Sequence, residues 1–105
     1  MSTSVSERRA AIHAVRVTET DLSVDLTDGR SVSVPLAWFP RLVHGRPEER
    51  GRWELVGQGV GIHWPDLDED ISLDGILAGK PSGESQDSLR RWLAGRSGHP
   101  STAPS

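Results

Sequence analysis

The sequence has no cysteine and no tyrosine, with only one methionine and one phenylalanine in 105 residues. Without cysteine there is no disulfide, no thiolate nucleophile and no cysteine-ligated zinc. Lysine is nearly missing as well: Lys80 stands against eleven arginines, which reads as a genome composition bias and not as chemistry. No stretch approaches the ~20 apolar residues of a membrane span, and the N-terminus lacks the apolar run of a secretory signal. A cytoplasmic location is the resulting expectation. No internal repeat is visible.

What is present fits one domain. Ser/Thr-rich and charged residues open the chain and Gly/Pro/Ser-rich residues close it, so 1–10 is expected to be flexible and 97–105 a disordered tail. Between them lie an α+β domain over 11–80 and a linker with a C-terminal helix over 81–96. A core of this size supplies only ~3–5 kcal/mol of net stability, so large side chains matter. Trp38, Trp53, Trp64 and Trp92 are therefore the first core candidates. The formal charge is −3, but residues 12–80 carry seven basic and twelve acidic side chains, a balance of −5. A centre of that sign repels phosphate backbones, which argues against duplex nucleic acid as the main ligand.

Three short segments alternate with period two. Val15 and Val17 alternate with Arg16 and Thr18, then Leu22, Val24 and Leu26 with Ser23, Asp25 and Thr27, then Val32 and Val34 with Ser31 and Ser33. This pattern predicts a half-solvated antiparallel meander. A two-residue Asp28-Gly29 turn would set apolar side chains against polar ones on the same face. A three-residue loop, Thr27-Asp28-Gly29, pairs Val24 with Val32 and Leu22 with Val34, with Gly29 left-handed. The first hairpin is satisfied by a loop from Thr18 to Asp21, facing Val17 with Leu22 and Val15 with Val24.

The rest of the chain reads as short helices around one more strand. Leu36 to Val43 forms a turn of helix, with Pro40 near its start and Gly45 as its stop. Pro47-Glu48-Glu49-Arg50 repeats the device, with proline at the first position and carboxylates in the first turn. Trp53-Glu54-Leu55 leads out of it. Ile62-His63-Trp64 is a fourth strand ended by Pro65. Ser72 caps a helix over Leu73–Ala78 that Gly79 and Pro81 close, and Ser85 caps another over Gln86–Ala94. The expected fold is thus α+β: a small antiparallel three- to four-stranded sheet, short helices on one face and a C-terminal helix.

The strings Asp28-Gly29-Arg30, Val34-Pro35-Leu36, Trp38-Phe39-Pro40-Arg41-Leu42 and Arg52-Trp53-Glu54-Leu55 belong together with Gly61-Ile62-His63-Trp64-Pro65-Asp66-Leu67-Asp68-Glu69-Asp70-Ile71-Ser72. In this order they resemble the bacterial family catalogued as domain of unknown function 2442, over nearly all of the folded region. The resemblance implies a small, largely uncharacterised α+β domain. It also implies a neighbour-encoded short protein as partner, in an arrangement like that of toxin–antitoxin pairs. Some members carry a C-terminal helix-turn-helix; here one good helix remains after Gly79, so none fits.

The densest polar constellation is Asp66, Asp68, Glu69, Asp70 and Asp74. Alternating oxygens from Asp66 to Asp74 mimic a calcium loop, but Ile71 and Leu77 stand where the glycine and the closing glutamate belong. The expectation is a solvated acidic turn feeding the Ser72 helix, or an acidic surface for a basic partner. His63 beside carboxylates suits a general base or metal ligand, yet no other histidine shares a ligand spacing with it. A histidine packed at a strand end is the plainer reading. Gly57-x-Gly59-x-Gly61 precedes a strand, whereas a phosphate loop precedes a helix, so a bulge or a close backbone approach is expected. Arg41 and Arg52 are placed on tryptophan rims or against the acidic turn. The C-terminal helix either covers the sheet or faces a partner.

The functional expectation is a non-catalytic protein-interaction module without cofactor or metal, antitoxin-like or regulatory. Its partner-binding residues are Trp64 (if exposed), Asp66, Asp68, Glu69, Asp70 and Arg41. A basic partner meets the acids. Alternatives are a nucleic-acid-associated regulator and a divalent-metal-dependent hydrolase built on His63 and its neighbouring acids. A homodimer through a sheet edge is open as well.

Overall fold

The computed structural model describes residues 10–97. The expectations for a flexible start and a disordered tail therefore fall almost wholly outside the described residues. Strands β1 (Ile12–Val17), β2 (Asp21–Leu26) and β3 (Ser31–Pro35) form an antiparallel meander in that order. Val15 faces Val24, Val17 faces Leu22, Val24 faces Val32 and Leu22 faces Val34, the registers that the alternation requires. Gly29 is left-handed at φ 94° in the Thr27–Gly29 loop, and Leu26 N–H closes it onto Arg30 O at 2.8 Å. One irregularity was not expected. A bulge between Ile12 and Ala14 re-phases β1, so that Ile12 joins Val15 on the buried face although they are three residues apart.

A 3₁₀ turn (Leu36–Trp38), α1 (Pro40–His44) and α2 (Pro47–Arg50) follow, both helices with proline at the first position. Arg50 ties them together: its guanidinium donates to Leu42 O and Val43 O, both at 2.8 Å, at the carbonyl end of α1, where Leu42 O also accepts from Gly45 N–H at 3.2 Å. Next come β4 (Glu54–Val56), β5 (Gly61–Trp64), β6 (Glu69–Ser72) and α3 (Leu73–Leu77), with Ser72 Oγ accepting from Gly75 N–H at 2.9 Å. The last element, α4 (Gln86–Ser97), runs three residues beyond its expected end, and Ser85 Oγ accepts from Ser88 N–H at 3.1 Å.

The α+β architecture is the expected one, with strands in two antiparallel three-stranded sheets, β1-β2-β3 and β4-β5-β6. The second sheet exceeds the expectation of a single fourth strand. Three residues of β4 are too few to show a period, and β6 contributes only Ile71 as an apolar residue. The two sheets meet at Gly59, whose carbonyl accepts from Ile12 N–H at 2.8 Å. A Cβ on Gly59 would lie 2.6 Å from Ile12 O, and its φ is 97°, so the glycine-rich segment is a close backbone approach.

Both sheets feed one core of Leu22, Val24, Leu26, Leu36, Phe39, Leu42, Ile62, Trp64 and Leu67 with their neighbours. Of the four tryptophans only Trp64 is fully buried; Trp38, Trp53 and Trp92 pack half-buried against this core. Aliphatic side chains carry the centre. Among the described residues no helix is long and apolar enough to cross a membrane.

Candidate interaction site

The acidic stretch does not form a single turn. Pro65–Asp68 make the loop of the β5–β6 hairpin, with Leu67 N–H bonded to Trp64 O at 3.2 Å and Asp68 left-handed at φ 52°. Glu69 and Asp70 already belong to β6, and Ser72 caps α3. A calcium-type loop over Asp66–Asp74 is therefore replaced by turn, strand and helix, three conformations that cannot wrap one ion. Among the described residues no group of three His, Asp or Glu side chains is placed to hold a metal.

Trp64 needs correction as a surface anchor. Its side chain is completely buried, and its indole N–H donates to Arg50 O at 3.0 Å. The reason lies in the hairpin: Trp64 and Ile62 share the face of β5 that turns to the core, so the largest side chain of the strand fills that core.

The other predicted residues are exposed or partly so, and each has a distinct partner. Asp66 pairs with Arg52 at 2.7 Å. Asp70 Oδ1 lies 2.8 Å from His63 Nδ1, across the β5–β6 ladder, which makes His63 a strand-end histidine held by an acidic neighbour. Asp68 offers its carbonyl to Arg41 Nη1–H at 2.8 Å, and its carboxylate lies 3.5 Å away from the same nitrogen. Glu69 is half-buried, and among the described residues its carboxylate accepts only from the Asp70 amide, at 3.2 Å. Burial pushes the Glu69 carboxyl above its ordinary range, and the neighbouring charges of Glu84 and Asp70 add to the push against Arg41.

Arg41 organises this region. Besides Asp68 it holds Glu84, donating from Nε to Oε1 at 2.9 Å and from Nη2 to Oε2 at 2.6 Å, with both side chains largely buried. Its guanidinium also lies 5.0 Å from the Trp92 ring centroid. Arg96 stacks on the same ring at 4.8 Å and donates to the buried Glu49 at 2.8 Å. Glu49 is fixed in turn by Arg46 N–H at 2.8 Å. The Arg41 guanidinium holds the Glu84 carboxyl below the ordinary glutamate range, and Arg96 does the same for Glu49, in each case against the opposing effect of burial. Thus α4 docks by a tryptophan between two arginines, each anchored on a carboxylate. These contacts seat it on Arg41 of α1 and Glu49 of α2, with Trp92 against the core.

Glu84, Glu49 and Arg96 were missed as partners in this arrangement. The signal was present: Trp92 and Arg96 are four apart, hence on one helix face, while Glu49 occupies the third position of its own helix.

Two shallow grooves result. One, of about 290 Å³, runs along β6 from Glu69 to Ser72, floored by Phe39 and walled by Lys80–Gly83. The other, about 380 Å³, lies between Arg41, Asp68, Glu84 and Ser88. They share Glu69, Asp70 and Ser82, so they are continuous. A hollow of about 420 Å³ elsewhere, between Ala10, Val60 and Leu77, includes none of the predicted site residues.

A small two-sheet α+β domain with an acidic groove beside an edge strand is the class these features define. Residues 12–82 match the family described as proteins of unknown function, DUF2442, and the chain belongs to that family. It is similar to a protein of unknown function from Rhodospirillum rubrum, 27% identical with a TM-score of 0.65, over 75% of this chain and 98% of that one. It also shares its fold with an uncharacterised Chromobacterium violaceum protein solved by NMR. That match is 20% identical with a TM-score of 0.62, over 85% and 82% of the two chains. No curated protein matches the chain. Helix α4 lies beyond the family match, which ends at Ser82.

Proposed function

We propose that the chain is a non-catalytic protein-interaction module whose acidic groove, lined by Asp68, Glu69 and Asp70 with Glu84, receives a basic segment of another protein. The observation that carries this reading is Glu69. Its carboxylate is half-buried, raised in pKa by that burial, and among the described residues bonded only to the amide of the next one. A partner's cation beside it offsets the desolvation that the free domain bears alone. The family resemblance supports a small partner encoded next to this chain, in an antitoxin-like or regulatory pair. That step is analogy, since a shared fold does not fix a function.

The test is co-expression with the adjacently encoded protein, followed by titration of wild type and of the Asp68→Asn, Glu69→Gln, Asp70→Asn triple variant. Three rim carboxylates at a few tenths of a kcal/mol or more each predict about a tenfold loss of affinity, shrinking as salt is added. Equal affinity of the two proteins refutes the surface; absence of any complex refutes the partner.

A further inference from the structure

The β5–β6 ladder fixes which main-chain groups face outward. Leu73 N–H donates to Val60 O at 2.9 Å, and the register pairs Ile62 with Ile71 and Trp64 with Glu69. In an antiparallel pair, residues exchange hydrogen bonds at every second position. The bonded pairs are therefore Val60/Leu73, Ile62/Ile71 and Trp64/Glu69. Asp70 and Ser72, between them, point their N–H groups away from β5. So does the Asp70 carbonyl. Since β6 ends the order β4-β5-β6, these groups open onto the groove along its edge. The Asp70 amide is met there by the Glu69 carboxylate at 3.2 Å, a long contact from the adjacent residue that an incoming carbonyl can replace.

The geometry points to β6 as a site of strand addition: an extended segment of a partner protein, alternating basic and apolar side chains, pairs with the Asp70–Ser72 edge. This inference rests on the acidic-groove reading and adds to it the mode of binding. Charge selects the occupant. Arg41 and Glu84 line the two continuous grooves as a mutually neutralising pair, which leaves Asp68, Glu69 and Asp70 against Lys80. A basic side chain on the face of the added strand shared with Glu69 and Ile71 lies beside the Glu69 carboxylate. Its neighbours in the added strand turn to the other face, with Asp70 and Ser72. Main-chain bonds give such a complex its affinity, and the alternating side chains its selectivity.

The experiment uses the full ¹⁵N-labelled chain and three short end-blocked peptides. One alternates lysine and valine; the second is the same peptide N-methylated at alternate residues, which removes its strand-pairing donors; the third has glutamate for lysine. The lysine peptide is expected to shift the Asp70 and Ser72 amides and slow their exchange. The N-methylated one should bind about tenfold more weakly, for the main-chain bonds it lacks. Equal binding of the lysine and N-methylated peptides overturns strand addition and leaves the acidic groove standing. Equal binding of the glutamate peptide overturns the acidic groove itself. Amides of Asp70 and Ser72 that stay unmoved by the lysine peptide, while Asp68 and Glu84 respond, also overturn strand addition.

Discussion

Replacing Arg41 with methionine keeps most of the side-chain length and removes the guanidinium. Glu84 is then left with the Ser88 hydroxyl at 2.8 Å as the remaining side-chain donor to a carboxylate only 9% exposed. Stripping the partner from a buried carboxylate costs about 3–5 kcal/mol when the site cannot relax. Here it can relax, because Glu84 precedes a helix that is free to lift away. What holds α4 after the substitution is the Arg96–Glu49 pair, the remaining Arg96–Trp92 stack at about 0.5–1 kcal/mol, and the half-buried Leu89, Trp92 and Leu93. The cheaper outcome is undocking, so the expected loss is about 2–3 kcal/mol, confined to α4. Native-state hydrogen exchange reads this directly. In Arg41→Met the amides of α4, such as Leu89 onto Ser85 O, should exchange far faster, while those of Leu22 and Val24 in β2 keep their protection. Adding Glu84→Gln should recover part of the loss, since no bare charge remains. The reasoning fails if α4 amides keep wild-type protection, or if the core amides fall by as much as those of α4.

Other expectations follow from the same contacts. Glu49 and Glu84 have folded pKa values below the ordinary glutamate value of 4.5, so the stability they add is complete above that pH. It drains away as pH falls through their depressed values; exchange rates in α4 measured down an acid series should rise before the core unfolds, and simultaneous loss counts against the clamp. Glu69 has the opposite sign: its pKa is raised by burial, so its ionised form weighs against the fold at neutral pH. Glu69→Gln should therefore stabilise the free domain by a few tenths of a kcal/mol, discounted for its partial exposure, and a lower denaturation midpoint at pH 7 contradicts this. Trp64→Phe should cost about 1–3 kcal/mol, for the lost bond to Arg50 O and the void left behind. A midpoint within error of wild type returns Trp64 to the surface.

The first meander was legible because its apolar residues alternate strictly, and a single wrong register buries serine against leucine. The β1 bulge was not: Ile12 and Val15 are three apart, and only the pairing with Leu26 and Val24 shows why both are inside. The helix caps at Ser72 and Ser85 were readable from residue chemistry, since a hydroxyl before a helix satisfies an otherwise open amide. In the second sheet, β4 is too short for a period, and the charges of β6 concealed a strand within what looked like a turn. At the site, Arg41 does meet the acidic stretch, at Asp68, whereas Asp66 and Asp70 turn to Arg52 and His63, pairings that only the fold of the β5–β6 hairpin reveals. The burial of Trp64 was not legible either, because a strand-end tryptophan next to proline and aspartate reads equally well as core or anchor until the facing strand is known. The clamp on α4 joins residues 43 and 47 positions apart in sequence, a distance no local pattern spans.

The charges along β6 also decide between kinds of neighbour. An exposed strand edge attracts any other edge, its own copies included, and carboxylates on it are one means of blunting that tendency. Two copies brought together antiparallel at β6 would set the acids at 68–70 of one chain near those of the other, in a groove that already raises Glu69. Like charges placed across a strand pair destabilise it. On the proposed reading, the same residues that disfavour a second copy favour an extended chain carrying lysine or arginine. The strand-addition proposal thus expects β6 to discriminate against self-pairing, a selectivity that an apolar edge such as Leu55–Val56 on β4 lacks.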